Sequence, residues 1–269
     1  MNEYESTVMP REERMALVGE MGDKINSLDS VSSASGHSRL TRSLVLDPKD
    51  KEASVVGRQI VAFLAGMARA NNVAVKRSLL FAEAAADAAF GAKEQPEKWF
   101  SEFNKWMGLC GWVRSGEGFT RYTAQEQRFT LEELGIKFLS TAIAALTGPG
   151  PAAALLSGIA AQAVDALRAQ QGPLRVFERN ANSHDGSDFG IASAVESDED
   201  VYLAVGSVAF NSSYSRDNVL FWEWQAQDVS IYKASNFWVL DLDAYDDIKD
   251  VIKQKLGDRA RTHIAELKF

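Results

Sequence analysis

The sequence has a single cysteine, Cys110, in 269 residues. That excludes an intramolecular disulfide framework and leaves too few thiolates for a structural zinc site. Its three histidines, His37, His184 and His263, fall in unrelated segments. No multi-histidine metal site is expected from that spread, and nothing else in the sequence asks for a cofactor. Basic charge is also in short supply: 29 Lys and Arg stand against 37 Asp and Glu, a net charge of -8. A chain so balanced has no global positive field to hold phosphates, so nucleic acid is not an expected partner. The amino terminus, MNEYESTVMPREERMALVGEMGDK, is acidic from the start. It lacks the apolar block of a signal-peptide core, which leads to the expectation of a soluble protein, cytoplasmic or exported without a cleaved leader. Catalytic signatures are missing too: there is no G-x-S-x-G elbow, Walker loop, G-x-G-x-x-G after a strand or H-E-x-x-H pair.

What is present is apolar mass, 46% of residues, enough for a substantial core. The patterning reads as α+β. Residues 1–50 read as an arm, with a short helix over 10–28 (Met15, Leu17, Val18, Met21, Ile25 and Leu28 behind Pro10) and a Ser-rich linker at 29–43. Residues 51–172 read as mainly helical. Val55, Val56, Ile60, Phe63, Leu64 and Met67 predict an amphipathic helix from Glu52 to about Asn71, and a second helix follows over 74–91. A third starts beyond Pro96, with Trp99, Phe100, Phe103, Trp106 and Met107 as a core-facing aromatic stripe. Gly116 and Gly118 between β-prone segments predict a β-hairpin over 112–130. Three helices and a hairpin have a winged-helix outline, but the second helix carries Ala, Glu and Asp where base-reading groups would be needed. Residues 173–269 read as an antiparallel β region: strands 187–195 and 201–210 around the polar turn 196–200, a bulged strand 219–232, and a strand 236–242. A helix over 243–257, stopped by Gly257, closes it.

Thr130 and Glu133 have capping-box spacing for a helix start. From Phe138 to Val164 no residue is charged, although a quarter of the chain is. The run 147-TGPGP-151 breaks helix propagation, so this stretch predicts a helical hairpin over 134–169 rather than one spanning helix. Each uncharged arm is shorter than the roughly 20 apolar residues of a membrane span. Ala154 and Gly158 form a small-xxx-small pair suited to close helix packing. The pattern resembles the hairpin that α-helical pore-forming toxins and colicin-like proteins hide in a soluble form and release onto a bilayer. That resemblance implies a noncatalytic, membrane-active toxin or effector, with Phe138, Leu139, Ile143, Leu146, Leu155, Leu156 and Ile159 as its bilayer-facing residues. Tyr214, Trp222, Trp224, Tyr232 and Trp238 fit either an interfacial anchor or the sheet core.

Two other readings come from different classes. One is a soluble interaction or assembly module whose arm and hairpin bind a protein partner or a second copy of the chain. The other is a hydrolase using the polar segment 177–190, with Glu178, His184, Asp185 and Asp188 as acid, base or metal-ligand candidates. Cys110, set among apolar neighbours, reads as a buried, inert thiol.

Overall fold

The computed structural model describes residues 9–32, 52–90, 95–116, 118–124, 127–181, 186–212, 220–257 and 259–267. In chain order they form α1 (Arg11–Ser32), β1 (Glu52–Val56), β2 (Gln59–Phe63), α2 (Arg69–Ala89), α3 (Pro96–Leu109), β3 (Trp112–Gly116), β4 (Thr120–Tyr122) and β5 (Arg128–Thr130). There follow α4 (Leu131–Thr147), α5 (Pro151–Ala169), α6 (Gln171–Ala181), β6 (Gly186–Ser197), β7 (Asp200–Ser212), β8 (Glu223–Gln225), β9 (Val229–Leu240), α7 (Leu242–Leu256), α8 (Arg259–His263) and β10 (Ile264–Leu267). The fold is α+β. An eight-stranded mixed sheet runs β10-β1-β2-β6-β7-β9-β3, with β4 also paired to β9, and β5 and β8 form a separate ribbon. Every pair is antiparallel except β2 with β6.

The central strands of the sheet are covered on both faces, while β3 and β4 at one edge are largely exposed. One apolar cluster joins the sheet to α1, α2, α3 and α7, and includes Val18, Leu79, Phe81, Phe103, Met107, Val205, Trp238 and Ile248. The other joins its opposite face to α4, α5 and α6, and includes Leu134, Phe138, Leu139, Ile143, Ile159, Val164, Phe177 and Ile191. Two-sided burial explains the largest misreading of the sequence. Residues 52–63 are the strands β1 and β2, not the start of a helix, and α2 begins only at Arg69. Both strands are buried almost throughout, so they read as a continuous apolar run whose spacing mimics a helix. Gly57, at φ +58, makes the turn between them.

Three further expectations are corrected. Residues 112–130 form no hairpin, because β3 and β4 both pair with β9 while β5 pairs with β8. The bulge expected near Gln227 is a full break that separates β8 from β9. Residues 171–181 form a helix, where the antiparallel β region was expected to start at 173 and the polar segment at 177. Other readings hold. The turn at 196–200 joins β6 to β7, Thr130 and Glu133 form a reciprocal capping box on α4, and α7 is capped by Asp241 and ended by Gly257. Cys110 is buried, and burial pushes its thiol pKa up to about 12.

Two glycines allow α4 to lie close against the sheet. A Cβ on Gly206 of β7 would collide with the α4 backbone, with Leu139 Cα only 2.9 Å away, and a Cβ on Gly135 of α4 would lie 2.7 Å from Ile191 Cδ1. Gly206→Ala should therefore lower stability by about 2–3 kcal/mol, since backbone cannot step aside. Gly158→Ala, with nothing within 4 Å of the added carbon, should leave stability unchanged or raise it by up to about 1 kcal/mol through helix propensity. Denaturant midpoints for both variants check the contrast.

Candidate functional site

α4 and α5 form the helical hairpin that the uncharged stretch predicts. Gly148 ends α4 at φ +69, and Pro151 occupies the first turn of α5. The arms are tied at mid-length by Ser140 Oγ donating to Ser157 Oγ at 3.2 Å, and at the charged end by the Arg168–Glu132 ion pair. Ser193 Oγ on β6 donates to the Leu156 carbonyl at 2.9 Å, anchoring α5 to the sheet. Of the seven residues assigned to a bilayer, Phe138, Leu139, Ile143, Leu156 and Ile159 are buried in the core beneath the hairpin. Leu146 is half-buried, and Leu155 is 52% exposed. Ala154 is exposed and Gly158 faces open space, so this small pair makes no close helix contact. That role falls to Gly135 and Gly206.

The tip of the hairpin is exposed and uncharged. Ala144, Ala145, Thr147, Pro149, Gly150, Pro151, Ala152, Ala154 and Leu155 all face solvent. Among the described residues, α5 is the one helix long and apolar enough to cross a membrane by length and composition, and 33% of that window is buried. The helix reaches 19 residues by running on through Asp165 and Arg168.

A second concentration of chemistry lies on the opposite side of the sheet, built around Arg58 in the β1–β2 turn. Its backbone N–H donates to both carboxylate oxygens of Glu83, at 3.0 and 3.2 Å. Its guanidinium pairs with Asp87 of α2 and Asp188 of β6, and lies 5.1 Å from the centre of the Trp99 ring. Trp99 Nε1 in turn donates to Asp87 at 2.8 Å. Only a glycine fits at position 57, because a Cβ there would overlap Glu83. Burial works against the Arg58 charge, but Asp188, Asp87 and Glu83 outweigh it and hold the guanidinium protonated. Burial pushes Glu83 up to about 8 even though Arg58 pulls the other way, and burial also raises Asp188.

The polar segment 177–190 is divided by the fold. Glu178 lies on α6 and Asp188 is buried on β6 against Arg58, while His184 and Asp185 lie outside the described residues. The aromatic candidates divide as well. Trp224 and Trp238 are core, Tyr232 is half-buried beside Phe119, Trp222 is 43% exposed, and Tyr214 lies outside the described residues. Sequence reading missed the Arg58 cluster. Its one signal was Glu83 and Asp87, spaced four apart inside the apolar run 81-FAEAAADAA-89, where an acid on a buried helix face such as Glu83 requires a cation from elsewhere.

No family model matches the chain, and no curated protein matches it. Among solved structures, a delta-endotoxin is similar at a TM-score of 0.39 and 11% identity, covering 80% of this chain and 96% of its own. The activated Cyt2Ba monomer from Bacillus thuringiensis subsp. israelensis is similar at 0.29 and 12% identity, covering 51% of this chain and 76% of its own. Likenesses this distant assign neither a family nor an activity to the chain.

The Arg58 cluster predicts a pH dependence of known sign. A carboxyl whose pKa is raised on folding favours the folded state most fully below its unfolded value, near 4.5, and that advantage is lost as pH rises to about 8. Stability should fall across this window with a slope approaching about 1.4 kcal/mol per pH unit at most. Glu83→Gln, which keeps an acceptor for the Arg58 N–H, should match the parent at pH 4.5 and exceed it at pH 8. Urea midpoints at both pH values test this; a parallel pair of curves would remove Glu83 from the titration.

Proposed function

We propose that this is a noncatalytic membrane-active protein of toxin or effector type that engages bilayers through the α4–α5 hairpin. The observation that carries the reading is the exposed hairpin tip, where Leu155 and its neighbours face solvent without a charged side chain from Ser140 to Ala161. Such a surface meets a bilayer without the cost of desolvating a charge. The low burial of α5 supports it further, since a helix this apolar in a soluble core is ordinarily covered. The tip makes first contact through Leu155 and half-buried Leu146. Phe138, Leu139, Ile143, Leu156 and Ile159 reach lipid only after the hairpin leaves the sheet.

The test is dye release from anionic and neutral liposomes at neutral and mildly acidic pH, with tryptophan emission followed in parallel. Leakage with a blue shift is expected from the parent. Leu155→Glu should reduce leakage about tenfold or more, since a charge at bilayer depth costs about 2.5–3.5 kcal/mol, while leaving the unfolding midpoint in place because the site is exposed. Ile143 and Leu156 are less suitable for a charge because both are buried. A Leu155→Glu variant as lytic as the parent would remove the tip from the mechanism. Intact vesicles together with a stable complex or homo-oligomer in the absence of lipid would favour the interaction-module reading.

A further inference from the structure

The hairpin's cover ends before the sheet does. On the face beneath α4 and α5, Ser193 of β6 and Ala204 of β7 pair with each other and are buried. Two residues nearer the β6–β7 turn, on the same face, Val195 pairs with Tyr202, Tyr202 with Val239 of β9, and Val239 with Val113 of β3. This apolar row crosses four strands, about 14 Å. Val195, Tyr202 and Val239 are half-buried. Val113 is 65% exposed, the most exposed large apolar side chain among the described residues.

The row continues into the hairpin tip. Ser193 Oγ holds the Leu156 carbonyl at 2.9 Å, which sets the first turns of α5 beside Val195, and Val195 and Ala153 both pack at the margin of the apolar cluster under the hairpin. Exposed Leu242 belongs to the same end, two residues past Leu240, which pairs with Val201. Single exposed apolar side chains are ordinary, whereas a continuous band drawn from a helical hairpin and a sheet marks a contact surface.

Charge decides what that surface can meet. Glu196, Asp198, Glu199 and Asp200 lie in and beside the β6–β7 turn, and Asp241 and Asp243 open α7 just past the end of β9. Two cations stand near them among the described residues: Arg69, which follows the Ala68 N–H that donates to Glu196 at 2.7 Å, and Arg114, next to Val113 but directed to the opposite face. Asp246, Asp247 and Glu52 already pair with Lys249, with Arg11 and Arg14, and with Lys76. The rim of the apolar surface is therefore acidic, and Tyr202 Oη donates to one of its carboxylates, Asp200, at 3.1 Å. An anionic leaflet repels such a rim. A zwitterionic leaflet has no net charge and receives apolar side chains and a tyrosine at headgroup depth.

We propose that this end of the molecule docks on zwitterionic bilayers, with the row Val195, Tyr202, Val239 and Val113 and the hairpin tip as one contact, and that the acidic rim turns it away from anionic bilayers. The proposal rests on the hairpin reading and adds to it a second set of lipid contacts and a lipid class.

Co-sedimentation of the full chain with vesicles of phosphatidylcholine, and of phosphatidylcholine mixed equally with phosphatidylglycerol, at pH 7 in low and in physiological salt, provides the test. Binding to phosphatidylcholine should be stronger by about tenfold or more in low salt, since each charge near an anionic leaflet shifts partition about fivefold, and the gap should narrow as salt rises. Val113→Glu should weaken phosphatidylcholine binding about fivefold or more, because a valine leaves the contact and a charge enters it. Its unfolding midpoint should stay in place, since the site is exposed. Asp198→Asn, Glu199→Asn and Asp200→Asn combined should raise binding to the mixed vesicles about fivefold or more and leave phosphatidylcholine binding unchanged. Asparagine accepts the positive φ of positions 198 and 199 and keeps an acceptor for Tyr202. Equal or tighter binding of the parent to the mixed vesicles, an unchanged lipid preference in the turn variant, or phosphatidylcholine binding unaffected by Val113→Glu each overturns the proposal. If Val113→Glu binds as the parent does while Leu155→Glu does not, the row is removed and the hairpin reading stands. Binding to neither vesicle overturns both.

Discussion

A sheet whose central strands have no wet face constrains everything else in this molecule. β6 and β7 are buried along most of their lengths from both sides, so two helical layers have to be present at once, and each has to match the sheet closely. On one side the match is made by Gly135 and Gly206, which bring the α4 backbone against β7 with no side chain between them. On the other it is made by the aromatic stripe of α3, where Phe103 meets Trp238 edge to face at 6.5 Å. Covering a sheet also means burying its turns, and that is how Arg58 comes to lie among three carboxylates.

The same constraint separates the two sites. The hairpin covers one face, and its own outer surface and tip are left without a covering layer. The Arg58 cluster belongs to the other face, where Asp87 of α2 and Trp99 of α3 meet a guanidinium from the β1–β2 turn and Asp188 of β6. Two further contacts reinforce that layer: Lys76 reaches Glu52 on β1 at 2.8 Å and Glu266 on β10 at 3.0 Å, bridging α2 to the sheet edge. Charged groups therefore fasten α2 and α3, whereas α4 and α5 are held mainly by apolar packing and two serine hydrogen bonds, with the Arg168–Glu132 ion pair at the far end from the tip.

Much of this was legible where local signals are strong. The capping box at Thr130, the uncharged hairpin with its Gly-Pro tip, the β6–β7 turn and the charge-graded α7 all depend on neighbours in sequence, and the structure has each of them. What was not legible depends on partners far along the chain. β1 and β2 lack polar alternation because both faces are covered, so periodicity alone turned them into a helix. β3, β4 and β5 are β-prone, but their partners, β9 and β8, lie a hundred residues downstream, and a tight local hairpin was the nearer inference. The Arg58 cluster is assembled from a turn, a helix and a strand separated by up to 130 residues, so only Glu83 and Asp87 hinted at it.

Burial also sets the order of events on a membrane under the proposed function. Five of the seven hairpin residues assigned to lipid sit in the core. Exposing five large apolar side chains to water costs about 1.5–3 kcal/mol each, a sum comparable to the whole stability of an ordinary domain, about 5–15 kcal/mol. Spontaneous opening in water is thereby too rare to drive binding. A bilayer returns the transfer part of that cost as the same side chains enter hydrocarbon, but only once the hairpin is already at its surface. The exposed tip, held out by Gly148 and Pro151, is the part of the fold that reaches a surface without prior opening. On this reading the tip docks and the covered residues follow, and loss of the Ser193–Leu156 hydrogen bond, which anchors α5 to the sheet, separates the two stages.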